Sequence, residues 1–572
     1  MAVLVTRRRK VVSATDGLFA AVEKQGYCPQ HPNLPVSRSK ELLSIVAPSS
    51  QHAYTTIVRI GLARFLRCRQ TVEIQEELAR ECHIEVSDTT VRYLARKFLA
   101  YIQVVHQQSI PLLKADMSLR GGYILHVDGS CDGGSGVLLV AVDSLSGQVL
   151  ESQKIASENH AEVKLVLSKV RHDWGLPLAV VHDLRHALIT AAAELFPEVP
   201  QFVCHYHLAA DVGKDILQSH ADQLRCLFRR TKVRANLRAL IRSLKCFAPS
   251  DYSAEHMVTS IIQSRSTKDL YRHCTPQAVD AAVHALASWI LSFGVDSGGL
   301  DFPFSMPYLN LYARILSVHR AIYPLINCGS STSKNAPMAS LARLIQILQP
   351  IISGTEAPQC RQIVARAQRD LRIFERFRSA LRIRHETSRN QDSRTTRFLN
   401  PARHKAVLEH LRDSLEVKSH RPAAPAKACS IVVKHLTKYW PYLFGHVCES
   451  GSSTIVVPRT NNFEENLFGI VKRQCRRLRG SANLSRDIQD MSPSTPLVLN
   501  LTNASYCETV YGGRDIDSIA LRFASVHPTS VADILTSWRR TKISNQIPRK
   551  LAKMPTLPNR LARFLSIAAN HL

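Results

Sequence analysis

The spacing of apolar residues changes character along the front of this chain, and the change divides it. Over 52–106 the apolar positions recur at helical intervals. The segment 53–67 sets Ile57, Ile60 and Phe65 on a mostly apolar helical pattern, and 71–81 sets Ile74 and Leu78 on one face. A turn through Cys82-His83-Ile84-Glu85-Val86 leads to Ser87, a good N-cap, and to a longer helix with Val91, Leu94, Phe98 and Ile102 at helical spacing. This is helix-turn-helix syntax. In such a module the last helix enters the major groove of DNA by its first residues, so Asp88, Thr89, Thr90, Arg92 and Tyr93 are candidate contacts. A plain three-helix packing unit shows the same pattern.

From about 121 to 215 the period becomes that of mixed strands and helices. Strands are expected at 123–128, 136–142 and 149–155, separated by Gly-Gly-Ser and Ser-Gly turn signals, which predicts an antiparallel meander. A helix follows at 160–174, ended by Gly175-Leu176-Pro177. Another apolar strand runs over 178–183, then a helix over 185–196 and a short strand over 201–204. Three antiparallel strands followed by alternating helices and strands is the ribonuclease H-like order, in which the first and fourth strands lie side by side. The first ends in Asp128 and the fourth in Asp183, so the two carboxylates should be neighbours at strand ends, where ligands of α/β sheets gather. Much later, Thr460-Asn461-Asn462-Phe463-Glu464 opens a helix that runs to about Leu478 before Gly480 stops it.

Asp128, Asp183 and Glu464 have the order and spacing of a split metal-binding carboxylate triad. Each also has a plainer explanation. Asp is common before turns, and Asn461-x-x-Glu464 is a capping-box arrangement. Glu465 is a second candidate acid; Asp132 and Asp143 are weaker alternatives to Asp128 because neither ends the buried strand. The triad chemistry is phosphodiester transfer. It needs a strong oxygen nucleophile and neutralisation of charge on phosphorus, both supplied by two Mg²⁺ ions roughly 4 Å apart. Mg²⁺, for which Mn²⁺ could substitute, is hard and prefers carboxylate and water oxygens. Asp128 would bridge both ions, with Asp183 completing one site and Glu464 the other.

Charge points the same way. Lys+Arg number 74 against 46 Asp+Glu, a formal net charge of +28, with a pI near 9.8; such a surplus suits a chain that neutralises phosphates. Arginines 361, 366, 369, 372, 376, 378, 382 and 384 fall along one or two helices, either a phosphate-tracking surface or a solvated face. Lys472, Arg473, Arg476, Arg477 and Arg479 crowd the end of the Glu464 helix. The 14 cysteines lack a repeated pattern, which favours reduced thiols in the cytoplasm over a disulfide framework. No signal core and no apolar stretch long enough to span a bilayer is expected. Cys204-x-x-His207 offers two zinc ligands where a structural site needs four. Cys28-Pro29-Gln30-His31 is half of a degenerate metal knuckle or only a turn.

Three segments together carry a resemblance: HVDGS (126–130), VVHDLRHALITAAAELFPEVPQFVCHYH (180–207) and RTNNFEENLFGIVKRQCRRLRG (459–480). They resemble the DDE transposases with a ribonuclease H-like core, similar to the Mutator-like and related bacterial insertion-sequence enzymes. In that group the second aspartate is followed by a helix, a Phe-Pro pair and Cys-x-x-His, matched here by Asp183, Phe196-Pro197 and Cys204 with His207. The glutamate follows a Thr-Asn pair, matched by Thr460-Asn461, which selects Glu464. The resemblance implies a Cys204–His207 motif beside the active centre, with His207 ordering DNA or a carboxylate. It also accounts for the half of the chain that separates Asp183 from Glu464, since a helical insertion commonly lies there.

The expected fold is therefore a multidomain α/β plus α protein: a ribonuclease H-like core split by a large α-helical insertion and preceded by a helix-turn-helix domain. In chain order the expectation is a leader (1–50), the helix-turn-helix (51–115), the leading core segment (121–215), the insertion (216–455), the closing core segment (456–510) and a basic extension (511–572). The expected activity is metal-dependent cleavage and transfer of DNA strands at the ends of a mobile element, by a homo-oligomer in a bacterial cytoplasm at the nucleoid, with no membrane role. A domesticated DNA-binding protein on the same fold, or a structure-specific nuclease, are the alternatives.

Overall fold

In a computed structural model, residues 2–540 are described apart from 32, 34–35, 49, 132–135, 245–251, 264–274, 298–299, 323–338, 384–400, 421–424, 451–452, 461 and 481–483. The protein is a mixed α/β chain built as two compact units. The first takes in 1–201, 448–457 and 461–572; the second takes in 202–447 and 458–460.

The first unit opens with a hairpin of β1 (Ala2–Ser13) and β2 (Gly17–Tyr27), followed by α1 (Lys40–Ile45). The leader expected over 1–50 thus has regular structure. Asp16-Gly17 is the signal that could have shown it: Asp-Gly between β-rich runs favours a hairpin, and Gly17 has φ +73°. Cross-strand register puts Arg8 opposite Val22 and Thr6 opposite Lys24, while Val11 and Ala21 close a small core with Val46 and Ala53. Cys28 and His31 sit in a turn just beyond β2, where His31 N–H donates to the Cys28 carbonyl.

The three helices of the expected DNA-reading module follow as α2 (Tyr54–Phe65), α3 (Thr71–Cys82) and α4 (Asp88–Leu119). Ser87 caps α4, accepting from Thr90 N–H. Gly61 permits the crossing of α2 over α4: a Cβ there would lie 2.1 Å from the ring of Phe98. At 32 residues α4 is much longer than a recognition helix needs, roughly 48 Å at 1.5 Å per residue. Its later buried residues, among them Val105, Leu113 and Met117, join the same core as the central sheet. The module is therefore no separate body; it shares one core with that sheet.

The sheet is formed by β3 (Ile124–Ser130), β4 (Val137–Asp143), β5 (Gln148–Ile155), β6 (Ala179–His182) and β7 (Gln201–Val203), in the order β5-β4-β3-β6-β7. Every residue of β4 is buried, as expected for a central strand read from a continuous apolar run. β3 pairs antiparallel with β4 and parallel with β6. The crossover to β6 runs through α5 (His160–Trp174), and α6 (His186–Leu195) leads on to β7. The chain passes into the second unit within β7. Asp143 is explained by architecture: buried at the end of β4, it accepts from the N–H groups of Ile124 and Leu145 and faces Arg120 at 3.6 Å.

The rest of the first unit comes from the far end of the chain. The helix Asn462–Arg479 packs on β3 through Leu467, Phe468 and Val471. Asn500 bridges β5 by accepting from Val149 N–H at 2.7 Å and donating to the Val149 carbonyl at 2.9 Å. Helices Ala504–Tyr511, Ile516–Ala524 and Pro528–Arg540 pack on α2 and α4. Some of the extension expected over 511–572 thus belongs to the core, and 541–572 lie outside the described residues.

Beyond the end of β7, the second unit is mainly helical where it is described. Its first helix is α7 (His205–Arg230), against which the helix Ala357–Ala380 packs. One segment, Pro276–Ser297, is by length and composition apolar enough to cross a membrane, against the expectation that none would be; its Ala281, Val283, Ala287 and Ile290 are buried within the unit. The loop expected near 296–307 is present, whereas those near 248–252 and 385–400 fall mainly on residues that are not described.

His106 on α4 ties the front helices to the sheet. Its ring lies 3.0 Å from the Leu150 carbonyl and 2.9 Å from the Tyr506 hydroxyl, and full burial lowers its pKa to about 4. The unfolded chain therefore takes up this proton first, and the stability held by neutral His106 is present above pH 6.5 and lost as pH falls towards 4, on the order of 3 kcal/mol in all. Denaturant midpoints measured from pH 7 to 4.5 should fall for the wild type and fall less steeply for His106→Gln, by up to one proton in the linkage slope. Equal slopes would remove His106 as a source of acid sensitivity.

Candidate active site at adjacent strand ends

β3 and β6 run parallel, with Val127 opposite His182. Asp128 and Asp183 each follow directly, so the register delivers two carboxylates to one end of the sheet. A carboxylate oxygen from each lies within 4.8 Å of the other. Asp128 is buried and Asp183 partly so. Each is oriented by the next backbone amide: Gly129 N–H donates to Asp128 Oδ1 at 2.8 Å, and Leu184 N–H to Asp183 Oδ1 at 2.5 Å.

Two like charges at this separation repel by on the order of 3 kcal/mol at an effective dielectric constant of about 20. Such a pair suits a hard divalent cation, whose preferred donors are carboxylate oxygens. A cation of the chain stands here: Arg185, whose Nε lies 3.7 Å from Asp183 Oδ2 and whose guanidinium also pairs with Glu158.

Glu158 was not a candidate from the sequence, where it is one acidic residue in a loop. The fold gives it a place. Asn159 caps α5 by accepting from Glu162 N–H, and Glu162 accepts in return from Ala156 N–H at 2.7 Å, which fixes the loop between them. The Glu158 side chain is 5% exposed. Its carboxylate lies over Gly129: a Cβ at that position would come 2.0 Å from Glu158 Oε1. The glycine after Asp128 is thus the space into which a third carboxylate fits. Burial raises the Glu158 pKa, Arg185 opposes that rise and Asp183 adds to it.

Glu464 is the third residue of the helix Asn462–Arg479. That helix packs on β3, the strand that carries Asp128. Asn461 and the side chains of Glu464 and Glu465 lie outside the described residues, as does Asp132. Further along the helix, Arg473 and Arg476 are exposed. Arg477 is held towards α3, with its guanidinium 3.6 Å from Glu73 and its carbonyl accepting from Gln70 Nε2 at 3.0 Å. The neighbouring Gln474 donates to the Phe65 carbonyl.

On α4, Thr89 is exposed and Thr90 partly so, and both hydroxyls lie 2.9 Å from Ser87 Oγ. Arg92 is exposed and pairs with Asp88 at 2.9 Å; Tyr93 and Arg96 share the exposed surface.

Cys204 and His207 belong to the second unit. Cys204 is buried at the N-cap of α7, and His207 is partly buried in its first turn. Between them His205 is fully buried, and its N–H donates to the Arg459 carbonyl at 2.9 Å. The segment 204–207 is therefore tied to Arg459, next to Thr460, within that unit. His205 packs edge-on against His446, with His404 also near; burial, then these neighbours and Arg459, hold its pKa well below the ordinary value. Of the insertion's arginines, 361, 366, 372, 376 and 382 are exposed, Arg378 pairs with Glu375 at 2.7 Å, and Arg384 lies outside the described residues.

Compared with known protein families and with curated proteins, the chain matches none of either.

Proposed function

We propose that this chain is a DDE-type transposase that cleaves and rejoins DNA strands at the ends of a mobile element, using a ribonuclease H-like core interrupted by a helical insertion. One observation carries the reading: Asp128 and Asp183 stand on adjacent parallel strands with carboxylate oxygens within 4.8 Å of each other. The packing on β3 of the helix that bears Glu464 supports a third carboxylate from that helix.

Asp128, Asp183 and Glu464 would hold Mg²⁺, or Mn²⁺ in its place. Bound there, the ions supply an activated oxygen nucleophile and neutralise charge building on the scissile phosphate. The chain's own role is orientation. The amides of Gly129 and Leu184 aim the two aspartates, and exposed cations draw the DNA backbone in. Sequence choice falls to the start of α4, where Thr89, Thr90, Arg92 and Tyr93 stand where a recognition helix reads bases. The protein would work as a homo-oligomer on element ends and target DNA.

Asp128→Asn, Asp183→Asn and Glu464→Gln should each lower strand cleavage and strand transfer by at least about 10³-fold while leaving binding to element ends within about twofold. Cleavage assays and gel-shift titrations on the same preparations check this. Wild-type cleavage by any one variant would remove that residue from the centre, and activity lost in Glu465→Gln but kept in Glu464→Gln would shift the assignment by one residue.

The basic end of the Glu464 helix yields a second expectation. Arg473→Gln should reduce the salt dependence of DNA binding by roughly 0.9 in log–log slope, as one phosphate contact is lost. Arg477→Gln should reduce it less, because Glu73 already faces that guanidinium. Equal slopes for Arg473→Gln and the wild type would leave Arg473 without a phosphate contact.

A further inference from the structure

Glu158 and Arg185 stand beside the aspartate pair, yet neither belongs to the triad, and their arrangement suggests what they do. Arg185 N-caps α6 two residues after Asp183, so its backbone position is set by the same strand end that delivers that carboxylate. Its side chain is half exposed, whereas that of Glu158 is almost completely buried. A buried carboxylate holding a half-exposed guanidinium is an anchor, because the buried partner has little freedom to follow the exposed one. The anchor is itself fixed, by the capped turn before α5 and by the close fit over Gly129. Arg185 is thereby kept within 3.7 Å of Asp183.

We propose that the Glu158–Arg185 pair sets the divalent-cation affinity of the Asp128–Asp183 site, with Arg185 acting as a tethered competing cation and Glu158 as the positioning residue that fixes its place. The inference rests on the metal-binding reading given above. Its logic is charge arithmetic. Removing Arg185 alone leaves Glu158 as an added negative charge and takes away the competitor, so the site should bind a divalent ion more tightly. Removing the charge of Glu158 alone leaves the guanidinium unanchored beside Asp183, so the site should bind more weakly. Removing both changes the net charge by nothing.

The test is Mn²⁺ titration of the full chain, without DNA, read by the loss of the free-ion electron paramagnetic resonance signal. Asp128→Asn serves to identify the site. Arg185→Gln should tighten Asp128-dependent binding by at least about tenfold, and Glu158→Gln should weaken it by a similar factor. The double variant should return to within about threefold of the wild type, and Arg185→Lys, which keeps the charge, should stay close to it. A structural role alone would weaken binding in both single variants and more so in the double. Unchanged or weaker Mn²⁺ binding in Arg185→Gln would overturn the inference while leaving the metal reading intact, provided the wild type shows an Asp128-dependent site. Absence of such a site in both the wild type and Arg185→Gln would overturn the metal reading and this inference with it.

Discussion

The parallel pairing of β3 with β6 is the constraint on which the site depends. Once Val127 lies opposite His182, the next residue on each strand must emerge beside the other, and both are aspartates. Two carboxylates held this close repel each other. The chain brings Arg185 to within 3.7 Å of Asp183 and fastens it with a buried glutamate.

The same unit joins this site mechanically to the surface that would read DNA. α4 begins with exposed Thr89, Arg92 and Tyr93 and ends among residues packed in the sheet's core, with His106 fastened to Leu150 of β5 on the way. The helix that carries Glu464 touches β3 through its apolar face and reaches α2 and α3 through Gln474 and Arg477. Two helices thus run from the α2–α4 module to the strands bearing the carboxylates. The start of α4 and the carboxylate pair consequently belong to one packed body, and a DNA end gripped by α4 would be held at a fixed place relative to the sheet.

Much of this was legible because the signals were local. Apolar runs ending in aspartate marked β3 and β6, Ser87 marked the start of α4, and Gly175-Leu176-Pro177 marked the end of α5. The antiparallel meander followed from the turn signals between its strands, and the adjacency of the first and fourth strands from the likeness of their order to the ribonuclease H-like one. The missed features depend on contacts between distant segments. Glu158 is an ordinary loop residue until the fold sets it over Gly129; Arg477 looks like one cation of a cluster until α3 supplies Glu73. Pro111 lies inside α4, where a proline ordinarily ends or kinks a helix, and the amino-terminal hairpin has one short local signal, Asp16-Gly17.

We propose that Asp128 and Asp183 jointly bind a divalent metal ion. Anomalous scattering from crystals of the chain grown with Mn²⁺ tests it most directly. A manganese peak is expected within coordination distance, roughly 2.0–2.3 Å, of carboxylate oxygens from both aspartates, and is expected to be lost in crystals of Asp128→Asn. Manganese bound only elsewhere, with the two carboxylates still side by side, would contradict it.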